Sequence, residues 1–167
     1  EDPGVVFEET STMLTGAVST EEKEDLLKDL HAADRLIGSA AETIEGILQA
    51  VRANAAFSIA DAQEVVESLL RSLEASDAPL VPFFSAGGPS PNPARQAVHV
   101  SILSMKMGME LRYAPERLRK LGVAAFLWSV GMARAPAQLV GKRGELTPAE
   151  RAALENTQRE YAKLIQK

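Results

Sequence analysis

His99 follows Gln96 by three positions in a stretch that reads as helix, so the two side chains share a face. An imidazole there is a candidate ligand for a divalent metal. One ligand does not make a site. The other histidine, His31, lies far upstream, and neither has a partner at a spacing such as His-Glu-x-x-His. The favoured reading of His99 is therefore a buried or interfacial histidine with one ring nitrogen satisfied. With no cysteine, the sequence has no disulfide framework, thiolate zinc site, iron–sulfur cluster or cysteine nucleophile. Gly87-Gly88, between Ala86 and Pro89, lacks the backbone donors and the lysine of a phosphate loop, and there is no Gly-x-Ser-x-Gly elbow. Acid pairs such as Glu8-Glu9 and Glu21-Glu22 lie near the chain start or a helix start, where they suit solvation and the helix dipole better than acid–base catalysis. Met105, Met107 and Met109 alternate along a helix, point to different faces and read as core filling.

The elements that must position these residues are helical. Ser19 with Glu22 is a capping-box signature for a long helix to about Ala53, and Ser58 with Asp61 repeats it for a helix to about Ala75. The Gly- and Pro-rich stretch Ser85 to Pro93 is a loop dividing the chain. Asn92 followed by Pro93 opens a third helix to about Leu111, and Pro115 opens a fourth to about Gly131. Thr147-Pro148-Ala149-Glu150 combines cap, proline and reciprocal glutamate at the start of a last helix running past Ile165. Residues 1–19 lack periodicity apart from Val5, Val6 and Phe7, and period-two alternation is nearly absent, so the chain is expected to be all-α.

The segment Arg95 to Gly131 has a layout similar to the start of the HD-GYP branch of the HD-domain phosphohydrolases. A helix ends in an apolar run and Gly, a short turn follows, and a second helix starts near Pro115 and runs through apolar residues toward Gly131. Pro136 and the turn Gly141 to Pro148 continue the likeness, and two upstream helices match the family's lead-in over residues 36–75. The resemblance covers roughly residues 36–167 and the first half of the family's core. It implies an HD-domain-like helical bundle in bacterial-type signal transduction, with a metal cluster that hydrolyses a cyclic dinucleotide; a cytoplasmic location is expected separately, because no export signal or membrane run is visible. It also implies metal ligands where this sequence has Gln96, Trp128, Ser129, Met132 and Thr157. Imidazole and carboxylate bind such metals and so let the metal lower the pKa of a bound water, and none of these five residues replaces them. The chain is accordingly expected to be a pseudoenzyme with no cofactor and no metal, its Trp128 plugging the former site. In that plug Val123, Ala124, Phe126, Leu127 and Val130 would be buried around it. Two alternatives stay open. One is a phosphohydrolase whose remaining ligands lie beyond Lys167; the other is a non-hydrolytic nucleotide sensor using Arg95, Arg134, Lys142 and Arg143 on phosphate. The first residue is Glu and the last ones still read as helix, so the chain is expected to be a piece of a longer protein.

Leu26, Leu30, Ala33, Ile37, Ala40, Ile44, Ile47 and Val51 follow one another at alternating spacings of four and three, the seam of a coiled coil. Gly38 and Gly46 weaken the case for one unbroken helix. A helix from about Glu21 to Ala53 would reach about 50 Å, longer than a compact domain of this size covers. Part of the seam, Leu26, Leu30, Ala33, Ile37, Ala40 and Ile44, is therefore expected to meet a second chain in a homodimer. Residues 20–35 would act as a linker helix ahead of the HD-GYP-like domain, 36–167. Of the 167 residues, 46% are hydrophobic and 25% charged, the composition of one globular domain. Residues 1–80 carry 17 acidic and 5 basic side chains, residues 81–167 carry 6 and 13. An acidic and a basic surface that attract each other within the fold or between subunits is the simplest reading. With no dense Lys/Arg run and no interleaved aromatic platform, nucleic acid is not an expected partner, and no run is long enough to cross a membrane.

Overall fold

The computed structural model describes residues 20–81, 92–140, 142 and 144–165. The expectations for residues 1–19, for the Ser19 cap, for most of the Ser85 to Pro93 loop and for Arg143 lie outside them. The architecture is all-α, with no strand among the described residues. Helix α1 spans Thr20–Arg52, α2 Ile59–Ala75, α3 Pro93–Glu110, α4 Pro115–Phe126, α5 Ala137–Val140 and α6 Pro148–Ile165. Short 3-10 turns lie at Ala78–Leu80 and Val130–Arg134.

Helix ends are set by local chemistry. The Asn92 side-chain oxygen accepts from the backbone N–H groups of Ala94 (2.8 Å) and Arg95 (3.3 Å), satisfying two otherwise orphaned donors of α3. At α6 the Thr147 N–H donates to the Glu150 carboxylate at 2.7 Å, while the Glu150 N–H donates to the Thr147 hydroxyl at 3.3 Å, a reciprocal capping box. The Ser58 side chain makes no cap bond, although α2 starts directly after it. Both α1 and α3 stop in the same way. Asn54 and Arg112 each turn left-handed at φ 55°. Around them Asn54 N–H donates to Val51 O and Ala55 N–H to Ala50 O, while Arg112 N–H donates to Met109 O and Tyr113 N–H to Gly108 O.

Ile37, Ala40, Ile44, Ile47 and Val51 of α1 enter one core with Val66, Leu69, Leu70 and Leu73 of α2 and with Ala97, Val98, Ile102 and Met105 of α3. Leu30 and Ala33 form a smaller cluster with Ala78, onto which Leu26 and Val81 pack. The seam expected to meet a second chain is thus covered by its own chain, with Ile37 and Ile44 fully buried. The length argument fails because α2, α3 and both 3-10 turns meet α1, so cover extends along the seam to Leu30. Residue 35, where the linker helix was expected to end, lies inside this continuous helix. Both interior glycines are tolerated, and a Cβ at Gly38 or Gly46 would meet nothing within 4 Å.

Helix α4 ends at Phe126 rather than near Gly131. Leu127 N–H makes the last four-residue bond, to Val123 O, and Val130, Met132 and Ala135 bond three residues back, tightening the chain into a 3-10 turn. Phe126, Leu127 and Val130 are buried, but Val123 is only partly so and Ala124 is exposed, contrary to expectation. At 100° per residue, a face centred on 126, 127 and 130 leaves 124 and 128 outside it.

Helices α3 and α4 form an antiparallel pair packed through glycines. A Cβ at Gly122 would stand 2.6 Å from the Met105 sulfur and 2.6 Å from a Val66 methyl; one at Gly108 would stand 2.7 Å from a Leu118 methyl. The buried Ser101 hydroxyl donates to Gly122 O at 2.9 Å across the pair. Gly122→Ala should therefore destabilise the fold by about 1–3 kcal/mol despite alanine's higher helix propensity. Urea unfolding followed by circular dichroism measures this, and an unchanged or raised midpoint would contradict the packing.

Candidate functional site

The five positions that the HD-GYP resemblance assigns to ligands fall on three parts of the fold. Gln96 stands half-buried in α3. Trp128 and Ser129 occupy the turn after α4, with Met132 half-buried in the 3-10 turn beyond it. Thr157 is half-buried in α6. Helix α6 and α1 both pack against the Val130–Arg134 turn, so the segments carrying Met132 and Thr157 are neighbours. The Thr157 hydroxyl is turned back on its own helix, donating to Ala153 O at 2.9 Å. The Ser129 hydroxyl is buried and has no hydrogen-bond partner among the described residues.

This donor set does not fit a metal cluster. An amide, an indole, two hydroxyls and a thioether supply neither the imidazole nor the carboxylate that iron, manganese or zinc needs. Among the described residues no three His, Asp or Glu side chains gather where an ion would be held.

Trp128 was expected to plug the site, yet 47% of its surface is exposed. Phe126 takes the inward place instead, fully buried, and the indole two residues later is carried to the opposite side of the helical turn. The helical phase of Phe126, Leu127 and Val130 already contained this outcome. Trp128→Ala should accordingly cost less than the ~3–5 kcal/mol of a fully buried indole, and native tryptophan emission should lie to the red of a buried indole's. Denaturant titration and a fluorescence spectrum check both.

His99 is buried on α3. Burial first, and the positive charge of Arg95 second, hold its imidazole below the ordinary histidine value, so it is neutral at pH 7. The folded chain then resists a proton that the unfolded chain accepts. Stability from this group is fully present above about pH 6.5 and is lost as pH falls below that value. Replacing His99 with Gln should flatten the stability–pH curve below about pH 6.5, read by urea midpoints at successive pH values. A curve of undiminished slope would show that other groups carry the dependence.

Of the four cations considered for phosphate, Arg143 lies outside the described residues, and two of the other three already face carboxylates. Arg95 lies 3.7 Å from Asp34. Lys142 lies 2.6 Å from Glu150, whose carboxyl is held down at about 2, first by that lysine and then by the Thr147 N–H and hydroxyl. Arg134 is exposed in the 3-10 turn. A surface groove of about 550 Å³ between α1 and the start of α3 is bordered by Glu42, Glu45 and Arg95. This groove depends on how two distant helices cross, which no local pattern signals. Its two carboxylates oppose a phosphate ligand. Met107, expected as core filling, is 65% exposed, while Met105 is fully buried and Met109 packs against the core. Of the helices in the described residues, none is long and apolar enough to cross a membrane. Compared with protein-family models, with curated proteins and with solved structures, the chain matches none.

Proposed function

We propose that this chain is a catalytically inactive HD-GYP-like signalling module that works through contact with other protein chains. The observation that carries this reading is Trp128. It occupies one of the positions that the resemblance gives to the metal-binding pair, and its indole is half exposed. Tryptophan at a partly open surface is the residue type most concentrated in the energetic centres of protein interfaces. The neighbouring ligand positions support the same reading, because Gln96, Ser129, Met132 and Thr157 together offer no imidazole or carboxylate to a divalent ion. A nucleotide sensor is less well supported, since Arg95 and Lys142 already face carboxylates of their own chain.

The purified chain should hold no stoichiometric iron, manganese or zinc and should not hydrolyse cyclic di-GMP. Elemental analysis after metal loading, chelation and dialysis tests the first point, and chromatography of the incubated dinucleotide tests the second. One or more retained ions per chain together with turnover would overturn the reading.

A further inference from the structure

We draw no further inference here: the strongest candidate, the surface groove between α1 and the start of α3 bordered by Glu42, Glu45 and Arg95, is a stripe of small residues beside two carboxylates, and nothing in the structure shows what covers it.

Discussion

The molecule depends on α3 lying close enough to α4 for Gly122 O to accept the Ser101 hydroxyl at 2.9 Å. Each helix contributes a glycine and receives a side chain from the other: Gly122 faces Met105, and Gly108 faces Leu118. Leu118, Gly122 and Phe126 are spaced four apart and all buried, so they form one ridge that seats α4 along its length. Gly122 also meets Val66 of α2, which makes this small residue the point where three helices converge. A side chain there would have to displace core atoms in two directions at once.

That ridge also decides how the turn after α4 is presented. With Phe126 locked into the core and Leu127 beside it, the chain leaves α4 in a fixed phase, and residue 128 emerges on the outer side. The 3-10 turn beyond it then lays Val130 and Gly131 inward and provides the surface on which α6 rests. Electrostatics follow packing here. Arg119 to Glu67 (2.7 Å), Lys106 to Asp77 (2.7 Å) and Arg95 to Asp34 (3.7 Å) each join the basic half of the chain to the acidic half. All three are exposed or partly exposed, so each adds little to stability, but together they explain how an uneven charge distribution is accommodated within one fold.

Helix positions were legible wherever a local rule fixes them. Asn92-Pro93, Pro115 and Thr147 to Glu150 are short-range signals, and α3, α4 and α6 begin where those signals stand. Helix ends were less legible. Arg112 takes the left-handed position usually given to glycine, and α4 gives way to a 3-10 turn without a proline or glycine at Phe126 to announce it. Long-range features were hidden for a different reason. The groove beside Glu42 and Glu45 arises from residues far apart in sequence whose distance is set by helix crossings. The burial of His99 could be anticipated from its apolar helix, and with it the direction in which its basicity moves, since burial is the larger cause and Arg95, one turn earlier on the same helix, adds to it.

The α1 stripe shows why spacing alone under-determines a partner. Residues alternating four and three apart mark an apolar face on any straight helix, whether another chain or the same one covers it. What decides is how much complementary apolar surface the rest of the chain brings. Here Val66, Leu69, Leu70 and Leu73 recur at the same period on α2, and Ala94, Ala97, Val98 and Ile102 supply small and branched side chains on α3 that let the helices close on Ile37, Ile44 and Ile47. Once that supply is counted, the face between Leu30 and Val51 needs nothing from outside. Within the described part of α1, Leu27 is the large apolar side chain left open to water.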